Sequence, residues 1–268
     1  LGLLGKDDEK DLEIDENESA EKLYRDAHQS LFAEQDYVRA IEKYELLEGR
    51  YPFGRYAQQG QLELTFAYYM QHNIDQSLST INRFIRLNPQ HPNIDYAYYM
   101  KGLITFDSGK NLIHYVLPRD PSNNDPTSLR EAFDVFSLLI NNYPNSKYAD
   151  DAKSRMVYLR NELAEYELKV AKFYMRRGAY VAAANRAKYI MENYQGAEIM
   201  PETVFLLENA YMALGINDLA DDTHRVYAQN YKTGKGGNIN EDFTQEVRSC
   251  AEGLWDKMLE KFRLRTYY

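Results

Sequence analysis

The chain has 268 residues, 44% of them apolar and 27% charged, with a formal net charge of -9. That mix is ordinary for a globular protein, and the length suits two domains or one extended repeat array better than one compact core. The negative balance disfavours nucleic acid, which needs a positive surface to displace counterions, and no stretch approaches the ~20 apolar residues of a membrane span.

The chain opens Leu-Gly-Leu-Leu-Gly and turns acidic at once. Residues 6–18 hold eight acids and two lysines, so 1–18 reads as a flexible, solvated acidic segment. No signal-peptide pattern is present, so the expectation is a cytosolic protein or one whose export signal has been removed. Cys250 is the sole cysteine, which excludes an intrachain disulfide. Tyrosine is the compositional outlier, at 24 residues against 11 Phe and one Trp. Its ring packs while its hydroxyl stays wet, which suits helices half covered by a neighbour.

From Tyr37 onward the chain repeats. With Tyr37, Ile74, Leu129, Tyr180 and Asn217 as anchors, the residue three later is small each time: Ala40, Ser77, Ala132, Ala183, Ala220. Seven later come Tyr44, Ile81, Phe136, Ala187 and His224, and ten later the large apolar Leu47, Phe84, Leu139, Ile190 and Tyr227. Fourteen later come Tyr51, Asn88, Tyr143, Tyr194 and Tyr231, followed by proline in the first three. These offsets trace one face of a helix. A small residue lets the two helices of a hairpin approach closely, large ones fill the gap to the next hairpin, and proline ends the second helix.

This is the tetratricopeptide pattern, here with a period of 37 rather than the usual ~34. The predicted fold is therefore all-α, a tetratricopeptide-repeat solenoid of five helical hairpins with an extra C-terminal helix. Two anchor separations are longer. An insert falls at 107–127, where Gly109, Pro118, Pro121 and Pro126 argue for a loop. Residues 145–177 lack Gly and Pro and predict one long helix or two abutting ones.

After Tyr231 the repeat stops. Gly234 to Asn238 reads as a joint, and Val247, Ala251, Leu254, Trp255, Met258, Leu259 and Phe262 form the apolar stripe of an amphipathic tail helix. Solenoid ends need a cover, so this helix caps the last hairpin or serves as a partner-binding arm. The expected organisation is 1–18 acidic segment, 19–144 first three repeats, 145–231 last two repeats, and 232–268 joint and tail.

The first helix of repeat two is apolar on two sides. Gln61, Leu64, Thr65 and Tyr68 occupy the packing positions, and Leu62, Phe66 and Tyr69 lie opposite. The expectation is a groove for an extended or helical peptide with aromatic side chains, lined by Gln59, Leu62, Phe66 and Tyr69. The same positions one period on are Tyr96, Tyr99, Leu103 and Phe106. The competing expectation is that the insert or the acidic segment fills it. Enzyme motifs are absent, and the five histidines show neither paired spacing nor a cysteine partner, so no catalytic residue and no metal site is expected. Arg83 and Arg86, about one helical turn apart, suit a carboxylate.

Two segments carry a family resemblance. Tyr51-Pro52-Phe53-Gly54 with Tyr56 and Gln58-Gln59, and residues 83–89 with Arg83, Arg86, Asn88 and Pro89, followed by residues 91–96 with Asp95, closely resemble the BamD family of tetratricopeptide lipoproteins. Residues 143–148, Asp125-Pro126, 164–167, 177–180 and Asn185-Arg186 extend the similarity, which runs from about Tyr24 to Tyr231. The resemblance implies a non-enzymatic protein on the periplasmic face of the outer membrane, held there by a lipidated N-terminal cysteine and by nothing else. No other cofactor is expected. That cysteine is absent from this sequence, and residue 1 is expected at or just beyond the processed site or another boundary.

The resemblance further implies that the N-terminal repeats engage targeting signals of unfolded barrel precursors. It implies that the C-terminal repeats hold the periplasmic domains of BamA and help recruit the lipoproteins BamC and BamE. Asn185 and Arg186 are the expected BamA contact. The alternatives are another periplasmic tetratricopeptide adaptor and, far behind, an enzyme with its site in the insert or tail.

Overall fold

The computed structural model describes residues 19–108 and 126–231. Every secondary-structure element among them is a helix, ten in all. They are α1 (Ala20–Phe32), α2 (Tyr37–Arg50), α3 (Arg55–Met70), α4 (Ile74–Leu87), α5 (Ile94–Ser108), α6 (Thr127–Asn142), α7 (Ala149–Arg176), α8 (Tyr180–Asn193), α9 (Met200–Ala213) and α10 (Asn217–Asn230). They form two compact units, Leu1–Met100 and Lys101–Tyr268, divided within α5. The fold is all-α and of the tetratricopeptide type.

The repeat pattern maps directly onto helix ends. Four anchors, Tyr37, Ile74, Tyr180 and Asn217, are first residues of α2, α4, α8 and α10. Position fourteen is the C-cap in every repeat: Tyr51, Asn88, Tyr143, Tyr194 and Tyr231. In the first three a following proline keeps that residue out of the helical region, so the helix stops there. Starts are set by side chains where one suits. Ser19, Asp36 and Asn73 each accept a backbone N–H three residues on, at 3.3, 3.0 and 3.4 Å.

Within the first unit, Leu23, Ala27 and Leu31 of α1 pack with Ala40, Tyr44 and Leu47 of α2 and Leu64, Ala67 and Tyr68 of α3. Ala40 and Ser77 are fully buried, and the Ser77 hydroxyl donates to the Thr65 carbonyl at 2.9 Å, tying α4 to α3. Within the second unit, alanines let α7, α8 and α9 approach closely: Ala164, Ala171, Ala183, Ala187 and Ala210 are each 0% exposed. Large residues such as Leu168, Met175, Ile190 and Leu206 fill between them, each contributing roughly 1.5–3 kcal/mol by leaving water.

The stretch without Gly or Pro is one helix, α7, 28 residues and about 42 Å long. In each of the four hairpins whose turn is described, the turn needs a left-handed residue two positions before the second helix. That residue is Gln35 in α1–α2, His72 in α3–α4, Gly178 in α7–α8 and Gly215 in α9–α10.

Candidate functional site

In the first unit the two segments flanking the second hairpin meet at one end of it. Gln58 Nε2 donates to Asn88 Oδ1 at 2.9 Å, and Asn93 Nδ2 donates to Gln59 Oε1 at 3.4 Å. Asn88 also closes its own helix, its Nδ2 donating to the Phe84 carbonyl at 3.3 Å. Gly54 starts α3 at φ 102°, a conformation that side chains resist. Arg83 pairs with Glu48 at 2.7 Å and so satisfies a carboxylate of its own chain, while Arg86 is exposed. The Asp95 carboxylate accepts from the Tyr96 backbone N–H at 2.8 Å. Pro52 and Pro89 are exposed and Tyr51 is half-buried, whereas the Phe53 ring is 90% exposed.

An aromatic strip runs across α1 and α3. Tyr24, His28 and Phe32 stand four residues apart and therefore share one face of α1. The Tyr56 ring lies 5.5 Å from Tyr24, Tyr24 5.7 Å from His28, and His28 4.6 Å from Phe32. Phe32 then stacks on Phe66 at 6.1 Å with the planes 12° apart, and remains 51% exposed. At the other end the Arg55 guanidinium sits 4.7 Å over the Tyr56 ring and donates to its hydroxyl at 2.7 Å. Such a strip offers dispersion and π contact along its length and a cation at its end.

Behind the strip sits the buried carboxylate of Glu63. It accepts from the hydroxyls of Tyr24, at 2.8 Å, and Tyr44, and from Gln59 Nε2 at 2.9 Å. His28 Nδ1 lies 2.9 Å away. Burial first, and then Glu63, push the Tyr24 and Tyr44 hydroxyls well above the usual phenol range. The network pins α1, α2 and α3 together without a lysine or arginine.

The second unit buries a glutamate differently. Glu167 of α7, 1% exposed, accepts from Arg130 of α6 at 2.8 Å on one oxygen and from Arg186 of α8 at 2.7 Å on the other. Both guanidinium side chains keep over two-fifths of their surface in water, and Arg130 also bonds Tyr194. Two cations over one anion leave a local surplus of positive charge. Asn185, beside Arg186, is exposed on α8. Elsewhere in this unit a cavity of about 410 Å³ is lined by Phe106, Ser154, Arg155, Tyr158 and Leu159. The Phe106 and Tyr158 rings meet edge to face at 5.9 Å.

The expected groove residues divide between the units. Leu62 requires a correction: it is 1% exposed and has nothing to offer a ligand. A helix apolar on two sides can bury both, and α3 buries Leu62 on the side read as open. In the first unit Gln59, Phe66, Tyr69, Tyr96 and Tyr99 are half-buried; in the second, Leu103 and Phe106 are half-buried. Sequence reasoning gave no role to Tyr24, His28, Phe32, Tyr158 or Glu63, and took Glu167 only as part of the segment 164–167. The spacing 24, 28, 32 was the available signal for the strip.

The acidic segment 1–18, insert residues 109–125, and the joint and tail 232–268 lie outside the described residues. Among those described, no group of His, Cys, Asp and Glu could hold a metal ion, and no helix is long and apolar enough to cross a membrane.

A family model described as an outer membrane lipoprotein, YfiO, matches residues 16–226. A Neisseria meningitidis protein (serogroup A) is 45% identical over 223 residues, 83% of each chain. A Vibrio cholerae protein is 40% identical over 209 residues, 78% of this chain and 86% of its own. One from Haemophilus influenzae is 36% identical over 215 residues, 80% and 82%. All three are named outer membrane protein assembly factor BamD.

Proposed function

The chain belongs to the YfiO (BamD) family of outer membrane lipoproteins, and from that premise we propose that it is a client receptor and scaffold within the machinery assembling outer-membrane β-barrels. The family's members are non-enzymatic assembly factors, so the work to be explained is binding. The first three repeats, 19–144, take the targeting signals of unfolded barrel precursors, extended strands ending in an aromatic residue. The last two, 145–231, hold the periplasmic domains of BamA and help recruit BamC and BamE. The protein sits on the periplasmic face of the outer membrane through a lipid on an N-terminal cysteine.

The observation carrying the receptor reading is the aromatic strip. A half-exposed Phe32 stacked on Phe66 is the surface an aromatic side chain prefers, and Arg55 at the strip's end suits a carboxylate. Fluorescent peptides ending in an aromatic residue, titrated against wild type, Phe66→Glu and Phe32→Glu, test it. Loss of one buried aromatic contact predicts about tenfold weaker binding in each variant. Equal affinity in all three proteins refutes the strip as receptor.

Asn185 and Arg186 are the proposed contact to BamA, supported by the exposed Asn185 and the positive surplus beside it. Arg186→Gln keeps a donor to Glu167 while removing the charge. Loss of co-purification with the BamA periplasmic domains, at unchanged helicity, is the expected result; full retention refutes the assignment.

A further inference from the structure

Positions seven and ten of a hairpin's second helix carry an apolar face that needs a cover. Four times over those positions are sealed: Tyr44 and Leu47, Ile81 and Phe84, Phe136 and Leu139, Ala187 and Ile190 are all 0–1% exposed. In α2 and α8 the cover is seen to be the next helix along, α3 and α9. On α10 the same positions are His224, 54% exposed, and Tyr227, half-buried.

This partly covered face is aromatic. Phe205 of α9 lies 6.3 Å from Tyr227, and Tyr227 lies 5.9 Å from Tyr231. Glu208 and His224, paired at 3.0 Å, border the row. A repeat array that ends on such a face leaves partly in water the surface that α2 and α8 spend on the next helix.

We propose that the chain's own tail covers this face, the apolar stripe of residues 247–262 seating on Phe205, Tyr227 and Tyr231 where the first helix of another hairpin would lie. Three observations select this occupant. The tail leaves from Tyr231, itself part of the face. Its stripe, Leu254, Trp255, Met258 and Phe262 among others, has the helical spacing that the first helices of the repeats present to α2 and α8. Finally, residues 234, 236 and 237 are all glycine, a composition that imposes no chain direction of its own, and tethering gives the tail a high effective concentration at the face without any affinity demanded of a free partner.

Trp255 is the chain's only tryptophan, so its fluorescence in the full chain reports on the tail alone. Expected are a blue-shifted emission and acrylamide quenching several-fold weaker than for free N-acetyltryptophanamide. Tyr227→Glu restores both to the free values. Leu254→Glu, which leaves the hairpin itself untouched, does the same and covers the case in which Tyr227→Glu disturbs α10. Free-like quenching in wild type overturns the proposal, and so does protection that neither substitution moves. Protection that disappears on dilution, in step with loss of a dimer in sedimentation, overturns it in favour of a second copy's tail.

Discussion

The two units solve three identical structural problems with different residues. Each buries a glutamate between helices: the first unit surrounds Glu63 with two tyrosines, a glutamine and a histidine, the second clamps Glu167 between two arginines. Each brings a helical glycine against an aromatic neighbour. A Cβ on Gly60 would meet a Leu47 methyl at 3.0 Å and the Tyr44 ring at 3.4 Å, whereas one on Gly102 would meet the Phe136 ring at 2.5 Å. Each needs a left-handed residue in its hairpin turns, met by Gln35 and His72 in one unit and by Gly178 and Gly215 in the other. The backbone repeat constrains where a residue stands, and the side-chain chemistry is free to serve different binding surfaces.

The sharpest test of that contrast is charge removal at the two glutamates. Arginine can only donate, so an amide at 167 would point its own N–H groups at a guanidinium. Tyrosine hydroxyls can reverse and accept. Glu167→Ala should cost about 2–3 kcal/mol in urea unfolding, the loss of charged hydrogen bonds between helices, because the two guanidiniums left behind stay partly in water. Glu167→Gln should cost about 2 kcal/mol, against about 1 kcal/mol for Glu63→Gln. Equal losses for the two amides would mean that donor type does not matter.

Next in size is the glycine pair. Gly102→Ala should destabilise by about 2 kcal/mol, because a fully buried phenyl ring must move bodily. Gly60→Ala should fall within about 0.5 kcal/mol of wild type, since a leucine methyl rotates away more easily and alanine favours the helix by ~1 kcal/mol. Thermal unfolding of the two variants decides it.

The tyrosines that hold Glu63 add a pH signature. Their folded-state pKa values are raised, by burial and then by the carboxylate, so their contribution is fully present below the unfolded tyrosine value of about 10. Above it the unfolded chain loses protons that the folded chain keeps, and stability falls as pH rises. Tyr44→Phe removes one such group. The variant should be less stable than wild type at neutral pH, and the two curves should converge above pH about 10. Parallel curves would sink the assignment.

Smallest are the turns. His72→Gly and Gln35→Gly should each gain about 0.5–1 kcal/mol by relieving a left-handed side chain, and Gly178→Ala and Gly215→Ala should each lose a similar amount. A loss in the first pair would show that Gln35 or His72 makes a contact worth more than the strain.

Much of the fold was legible in advance because it depends on local rules. The 37-residue period, the small residue at position three, the C-cap at position fourteen and the unbroken helix α7 all follow from spacing, proline and glycine. The site was legible only in part. Phe66, Tyr69 and Phe106 keep part of their surface in solvent, but Leu62 does not, and the half of the strip contributed by α1 went unread. Periodicity reports that a helix has two apolar sides and is silent on which neighbour covers each.

Glu63 and Glu167 make the same point for polar residues. As letters they are two acids among 41; their partners lie 19 to 39 residues away for the ion pairs and tyrosine hydroxyls that hold them. The sequence by itself determined helix identity, helix ends and the repeat, because these depend on residues within a few positions of each other. Tertiary structure alone decided which aromatics stay in water and which carboxylates lose it, because burial is set by groups that only the packed helices bring together.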